Sequence, residues 1–90
     1  MLLVKWRPQA LEALAEILDY IEQYNPAAAA SLHHTIVTAA EGLSSMPYSF
    51  KPGRLPETRE MVVHPNYVVV YQVNDHVDIV AVLHSRQQYP

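Results

Sequence analysis

The dipeptide Asn25-Pro26 constrains the fold of this chain more than any other feature of its sequence. It interrupts a long region of helical apolar spacing, because Asn is a favoured N-cap and Pro is favoured at the first helical position. We therefore predict one helix from Pro8 to about Tyr24 and a second from Pro26 to about Ser44. The link between them is so short that they must form an antiparallel hairpin. The residues expected to be buried are Leu11, Leu14, Leu18 and Ile21 in the first helix, and Ala29, Leu32, Ile36, Ala40 and Leu43 in the second.

Predicted strands flank this hairpin. Residues 2–6 have the alternation of a short strand, whereas residues 46–56 contain three prolines and a glycine and are predicted to be a loop. Apolar segments follow at 57–63, 67–73 and 77–84, and the turns between them are short enough for an antiparallel meander. The order β-α-α-β-β-β predicts an α+β fold, with the helical hairpin packed on one face of a mainly antiparallel sheet. Residues 1–90 are expected to form a single domain.

Alternation in the last strand assigns its side chains to the two faces of the sheet. We expect Val77, Ile79, Ala81 and Leu83 to pack against the helices. The opposite face then carries Asp78, Val80, Val82, His84 and Arg86, and no later part of the chain is left to cover it. We hypothesise that this open face, with Arg59 and Arg54 near it, binds a partner.

Composition argues against several classes of function. The chain has no cysteine, which excludes disulfides and thiolate metal sites, and a net charge of −3, unlike a basic nucleic-acid-binding protein. His33 and His34 point about 100° apart on a helix, and the other histidines lie at separate strand ends, so we expect no bound metal. Neither glycine belongs to a phosphate-binding loop, so we expect no cofactor. The N-terminus is unlike a signal peptide, and we expect a soluble cytoplasmic protein that does not enter membranes.

The polar residues at the C-terminus have two interpretations. His84, Arg86 and Tyr89 form either an ordinary solvated tail or a working surface. Arginine offers forked donors for phosphate or carboxylate, and a histidine beside an arginine and a tyrosine is suited to acid–base chemistry on RNA. The side chains alone leave both interpretations open.

Six short motifs occur in order along the chain, and together they resemble a known group of proteins. They are Val4-x-Trp6-x-Pro8-x-Ala10, Tyr20-Ile21, Asn25-Pro26 with Ala28 and Ala29, Gly53-Arg54-x-Pro56-x-x-Arg59-Glu60, Tyr67-Val68-Val69-Val70-Tyr71-x-Val73, and Val82-Leu83-His84-x-Arg86-Gln87-x-x-Pro90. This set, over essentially the whole chain, resembles the RelE/ParE superfamily of toxins from bacterial type II toxin–antitoxin modules.

The resemblance implies a toxin whose target depends on the branch of the superfamily. RelE-like members are similar to ribosome-dependent mRNA endoribonucleases that carry several cations on the second and third strands. Here Arg59 is the one cation in segment 57–63, and Val68 stands where that pattern has an arginine. The chain therefore resembles ParE-like members more closely, and these act as inhibitors of DNA gyrase.

The ParE-like resemblance also implies partners and site residues. It implies a cognate antitoxin, DNA gyrase as the target, and operator DNA contacted only through the antitoxin. The residues expected to bind antitoxin or target are Arg54, Arg59, Val80, Val82, His84 and Arg86. In the RelE-like alternative, the catalytic residues would be Arg59, His84, Arg86 and Tyr89. A further alternative is a degenerate toxin that only binds antitoxin.

Overall fold

The computed structural model of the chain describes residues 1–87, and its helices form the expected hairpin. Helix α1 (Pro8–Glu22) and helix α2 (Pro26–Gly42) both begin with proline, where the missing N–H costs no hydrogen bond. The Asn25 side chain accepts a hydrogen bond from the Ala28 backbone N–H at 3.0 Å and so caps α2. None of the helices in residues 1–87 is both long and apolar enough to cross a lipid bilayer.

The strands form a five-stranded sheet in the order β1-β5-β4-β3-β2. Their bounds are Val4–Trp6 for β1, Lys51–Pro52 for β2, Arg59–His64 for β3, Tyr67–Val73 for β4 and Val77–His84 for β5. Strand β1 pairs in parallel with β5, and the other pairs are antiparallel. The α+β fold is therefore confirmed, with one addition: the region predicted as an uninterrupted loop contains β2, which pairs with the start of β3.

The core lies between the helical hairpin and one face of the sheet. It contains Ala10, Leu14, Leu32, Ile36, Ala40, Leu43, Met61, Val69, Tyr71, Val77, Ile79 and Val82. The buried residues predicted for α2 are confirmed, as is Leu14 in α1. Leu11 was expected in the core, but it is 52% exposed, and Ala10 occupies the buried position one residue earlier.

A β-bulge in β5 changes which side chains face the helices. Val70 pairs with Ala81, but the next residue, Tyr71, pairs with Ile79, so Val80 is an extra residue without a partner in β4. One extra residue reverses which face of the sheet each later side chain of the strand points to. Val82 therefore faces the helices and is 2% exposed. The prediction that Val82 lies on an open face is wrong, and the assignment of Ala81 and Leu83 to the helix-facing side is wrong for the same reason.

The second face of the sheet is not open along its whole length. Residues 53–58 fold over it, with a hydrogen bond from Gly53 N–H to the Thr58 carbonyl at 2.7 Å. Gly53 is required here, because a Cβ at this position would collide with the Thr58 hydroxyl. Glu60 is 5% exposed and Val70 is fully buried on this face. The expectation that no part of the chain covers this face is therefore wrong.

Candidate functional site

The structure separates the residues that were expected to form a single cluster. Arg59 pairs with Tyr71 at one end of the sheet, whereas His84 pairs with Tyr67 at the other. The four-residue interval between these partners in β4 corresponds to roughly 14 Å along the strand. Arg86 follows β5 and lies close to His84, because its backbone N–H donates to His84 Nδ1 at 3.2 Å.

The other expected site residues occupy different environments. Val82 belongs to the core, and Val80 is the half-buried extra residue of the bulge. Arg54 lies on the second face, where its side chain meets Glu60. Tyr89, expected to be catalytic only in the RelE-like alternative, lies outside the described residues. Of the expected set, His84 and Arg86 lie together within residues 1–87, and Arg54 reaches the Gln87 carbonyl next to them, whereas Arg59 lies at the other end of the sheet.

A groove of about 450 Å³ lies beside His84, between α1 and the ends of β4 and β5. We call it the α1–β5 groove. Its lining is largely apolar or aromatic and comprises Ala13, Glu16, Ile17, Tyr20, Tyr67, Val82, Leu83, His84 and Gln87. Tyr20 is 64% exposed at this groove and packs against Tyr24, with ring centroids 5.3 Å apart. Exposed tyrosines beside an apolar floor are typical of protein-binding surfaces.

Three rings stand side by side at the end of the groove. The Tyr67 ring centroid is 5.7 Å from that of His64 and 5.6 Å from that of His84. The three residues are neighbours across β3, β4 and β5, because His64 and His84 are both register partners of Tyr67. The arrangement follows from strand pairing, which the sequence does not display directly.

A backbone N–H donates a hydrogen bond to the ring of each of the two histidines. His64 Nδ1 accepts from the Asn66 N–H at 3.1 Å, and His84 Nδ1 accepts from the Arg86 N–H at 3.2 Å. A neutral ring that accepts at Nδ1 carries its proton at Nε2, so each ring presents an N–H donor outward. Residues 1–87 contain no group of three or more His, Cys, Asp or Glu side chains arranged to hold a metal ion.

Arg59 holds the segment that connects α2 to β2. Its Nη1 donates to the Phe50 carbonyl at 2.7 Å and to the Tyr48 carbonyl at 3.4 Å. The guanidinium carbon lies 5.0 Å from the centre of the Tyr48 ring, a cation–π contact. Beside it, the Tyr71 hydroxyl donates to the Pro47 carbonyl at 2.7 Å. Arg59 therefore has a structural role that sequence analysis did not identify.

Tyr71 and Asp75 have pKa values that differ from their ordinary values. Burial raises the pKa of Tyr71 above its ordinary value, and the positive charge of Arg59 opposes part of that shift. In the turn between β4 and β5, the hydrogen bond with His76 lowers the pKa of the exposed Asp75 carboxyl. Neither group lies in the α1–β5 groove.

Arg54 and Glu60 connect the 53–58 segment to the sheet. The buried Glu60 carboxylate accepts from the Arg54 backbone N–H at 2.9 Å and from Arg54 Nε at 3.2 Å. Arg54 Nη1 also donates to the Gln87 carbonyl at 3.4 Å. A buried carboxylate must be paired, so this arginine is committed to fixing the covering segment and the chain after β5.

Sequence analysis missed an ion pair at the other edge of the sheet. Arg7 Nη2 lies 2.7 Å from Asp78 Oδ2, and Nη2 also donates to the Gln72 side chain at 3.1 Å. This arginine follows β1, and its partners lie on β5 and β4, so it connects three strands. Two features of the sequence could have indicated this ion pair: Arg7 directly follows the first strand, and Asp78 is an acidic residue in an otherwise apolar strand.

Comparisons with known proteins place the chain in a family. Residues 4–89 match the model of the family described as the ParE toxin of the type II toxin–antitoxin system, parDE. The protein described as "Putative toxin Y4kP" from Sinorhizobium fredii is 40% identical over 88 residues, covering 97% of this chain and 92% of that protein. Toxin RelE2 of Caulobacter vibrioides is 41% identical over 85 residues, covering 91% of this chain and 93% of that protein.

A solved structure has the same fold. The chromosomal ParDE toxin–antitoxin system from P. aeruginosa contains a chain that superposes with a TM-score of 0.83. The superposition covers 93% of this chain and 96% of that one, at 19% sequence identity. At this identity the likeness concerns the fold and leaves the side-chain chemistry to be argued from the residues themselves.

Proposed function

Because the chain belongs to the family of ParE toxins from type II toxin–antitoxin systems, we propose that its target is DNA gyrase and that a cognate antitoxin neutralises it. The observation that carries this proposal is the dispersal of positive charge. Cleavage of RNA develops negative charge that cations must stabilise at one place. Inhibition of a protein target requires surface complementarity and makes no such demand.

The six Lys and Arg residues do not converge on one surface. Three arginines bind acceptors within the chain and so contribute to its structure. They are Arg7, which binds Asp78, Arg54, which binds Glu60, and Arg59, which binds the carbonyls of Tyr48 and Phe50. Lys5 and Lys51 lie on β1 and β2, the two edge strands of the sheet, roughly 19 Å apart at the spacing of neighbouring strands. Arg86 is then the one remaining cation near His84.

The antitoxin is expected to occupy the α1–β5 groove. Its apolar floor would receive apolar anchors of an antitoxin segment, and Tyr20 would contribute much of the contact area. The two sides of the groove differ in charge. Exposed acidic residues lie along α1 on one side, at Glu12, Glu16, Asp19 and Glu22, and Arg86 lies beyond the other side. The bound segment should therefore carry basic residues toward α1 and an acidic residue toward Arg86.

A ribosome-dependent mRNA endoribonuclease is the second candidate. Two observations favour it: His84 packs against Tyr67 with Arg86 two residues later in the chain, and a relative with 41% identity is named toxin RelE2. In this alternative His84 would transfer the proton and Arg86 would contact the phosphate. A single arginine would stabilise the negative charge of that transition state less than several cations would. Removal of one charge-stabilising donor commonly raises the activation barrier by about 2.7–4 kcal/mol.

A pair of assays on the purified full-length chain tests the proposal. In the first, DNA gyrase supercoils a relaxed plasmid in the presence of excess toxin, and we expect inhibition that the cognate antitoxin reverses. In the second, the toxin is added to a translating extract, and we expect intact mRNA. Arg86→Ala serves as the comparison in both assays.

Each other combination of results points to a different function. Normal supercoiling together with codon-dependent mRNA cleavage, abolished by Arg86→Ala, would replace the gyrase proposal with the endoribonuclease. Normal supercoiling and intact mRNA, with tight antitoxin binding, would identify a degenerate toxin that acts only as a binding partner.

A further inference from the structure

A second concave site lies at the opposite end of the sheet from the α1–β5 groove. This pocket, of about 460 Å³, is lined by Tyr48, Pro52, Glu57, Thr58, Arg59, Val73 and Asn74. We call it the Arg59 pocket. Whereas the groove is largely apolar, this pocket gathers a guanidinium, an amide, a carboxylate and an exposed aromatic ring.

The Arg59 guanidinium is held in place with part of its donor capacity unused. Its Nη1 donates hydrogen bonds to the Phe50 and Tyr48 carbonyls, and the guanidinium packs over the Tyr48 ring. Within residues 1–87, Nε and Nη2 donate to no acceptor. These two donors form the side-on fork that matches the two oxygens of a carboxylate. A guanidinium fixed before binding loses little conformational freedom when it takes a ligand.

The charges around the pocket favour an anion with a single charge. One guanidinium provides the positive charge, and the Glu57 carboxylate in the same lining opposes it. The chain as a whole carries a net charge of −3, which disfavours a doubly charged phosphate further. The Asn74 side-chain amide makes no hydrogen bond within residues 1–87 and adds a neutral donor.

The backbone of the pocket wall is strained. Glu57 has a φ of 63°, which places an ordinary side chain in the left-handed region that favours glycine. Strained residues of this kind cluster at ligand-binding sites, where the surrounding structure holds them in place. Glu57 and Arg59 line the same pocket, but no salt bridge within 4.0 Å joins their side chains.

We propose that the Arg59 pocket binds one carboxylate, carried by an aspartate or glutamate side chain of a protein partner. The Arg59 Nε and Nη2 groups would donate hydrogen bonds to the two oxygens of this carboxylate. The Tyr48 ring would pack against the aliphatic part of the partner's side chain, and the negative charge of Glu57 would weaken binding by repelling the carboxylate. The site is separate from the α1–β5 groove, and the inference does not depend on gyrase being the target.

Titration of the 15N-labelled full-length chain tests this site directly. The probe is a blocked glutamate, acetyl-glutamate methylamide, and the control ligand is the matching blocked glutamine. We expect saturable shifts of the Arg59 Nε–H resonance and of the amides of residues 57–59 and 74 with glutamate alone. Inorganic phosphate at the same concentration is expected to shift these resonances less.

Two variants separate a binding site from a structural arginine. Glu57→Gln removes the repulsive charge and should tighten glutamate binding about threefold, the order of magnitude expected for one unit charge in the same solvated pocket. Arg59→Lys keeps the charge but lacks the fork, and should weaken binding about tenfold. Lys5→Gln, which removes a charge at the far edge of the sheet, should leave the affinity unchanged.

Several results would overturn the proposal. Equal shifts with glutamate and glutamine would show that no carboxylate is recognised, and larger shifts with phosphate would assign the pocket to another class of anion. An unchanged affinity in Glu57→Gln would also reject it. That variant changes no hydrogen bond of the Arg59 side chain within residues 1–87, so its result is informative even if Arg59→Lys fails to fold.

Discussion

The rings of His84 and Tyr67 pack in a T-shaped arrangement, with the centroids 5.6 Å apart and the planes at 76°. Immediately after His84, the Ser85 N–H donates to the Asn66 carbonyl at 2.7 Å and the Ser85 hydroxyl donates to the Pro65 carbonyl at 3.0 Å. The end of β5 is therefore attached to the turn between β3 and β4. As far as Gln87, the backbone after β5 is therefore held on the folded surface by hydrogen bonds.

Tyr20→Ala should weaken antitoxin binding without changing the fold. Tyr20 lines the α1–β5 groove and is 64% exposed, so its ring is available to a partner. Loss of an aromatic anchor at the centre of an interface commonly costs about 2 kcal/mol or more, which corresponds to a roughly thirtyfold higher Kd. Isothermal titration calorimetry with the cognate antitoxin measures the difference.

Tyr24→Ala is the matched control for this prediction. Tyr24 is 74% exposed and packs against Tyr20, but it does not line the groove. We expect less than a threefold change in its Kd. An equal loss of affinity in both variants would mean that the antitoxin binds the exposed end of α1 and not the groove.

Val82→Ala should lower the free energy of unfolding by about 2 kcal/mol. The substitution removes two methyl groups from a side chain that is 2% exposed and packs in the core. Urea denaturation followed by circular dichroism provides the measurement. The control is Val62→Ala on β3, where the side chain is 60% exposed and the expected change is within about 0.5 kcal/mol. If Val82 faced solvent, the two variants would be equally stable.

The position of Val82 illustrates what could be predicted from the sequence and what could not. The helices, the Asn25 cap and the meander follow from local spacing and short turns, and the structure confirms them. The bulge at Val80 depends on how β5 registers against β4, and the apolar residues of the two strands give no local sign of it. A slip of one residue moved Val82 from the expected open face into the core.

The candidate site was only partly predictable for a related reason. Sequence position indicated that His84 and Arg86 lie together, since only Ser85 separates them in the chain. It could not reveal that Arg59 binds the Phe50 carbonyl or that Arg54 meets Glu60, because those pairings depend on the path of a proline-rich segment. Counting cations in the sequence therefore did not show that Arg54 and the Nη1 group of Arg59 bind internal acceptors.

Arg86→Ala should leave stability unchanged and reduce toxin activity. Within residues 1–87 the Arg86 side chain makes no hydrogen bond or salt bridge, so folding loses little when it is removed. Exposed substitutions of this kind usually change stability by less than about 0.5 kcal/mol. We expect the amount of toxin needed to inhibit gyrase by half to rise about tenfold, as measured by plasmid supercoiling. A fully active Arg86→Ala protein would remove this arginine from the functional surface.

The Tyr71 hydroxyl should make stability depend on pH in the alkaline range. Burial raises the pKa of Tyr71 in the folded state, so the unfolded chain ionises first, near pH 10. The stabilisation from the neutral hydroxyl is therefore complete below about pH 10 and is lost as the pH rises through the folded-state pKa. At pH 8, Tyr71→Phe should be less stable by about 1 kcal/mol, because the Pro47 carbonyl loses its donor.

The comparison of the two proteins isolates this group, because every other titrating residue is common to both. The difference in unfolding free energy between wild type and Tyr71→Phe should shrink from pH 8 to pH 11, as measured by urea denaturation at each pH. A difference that stays constant over this range would mean that Tyr71 ionises alike in the folded and unfolded states.

Glu57→Gly should raise the free energy of unfolding. Glu57 adopts a φ of 63°, where a side chain costs roughly 1 kcal/mol relative to glycine. Glycine also increases the entropy of the unfolded chain, which offsets part of this gain, so we expect a net increase of about 0.5 kcal/mol. Glu57→Ala removes the same charge but keeps the Cβ and the strain, so it should be no more stable than wild type. Urea denaturation distinguishes these outcomes, and equal stabilities for the glycine and alanine variants would show that charge, and not backbone conformation, determines the energetics at this position.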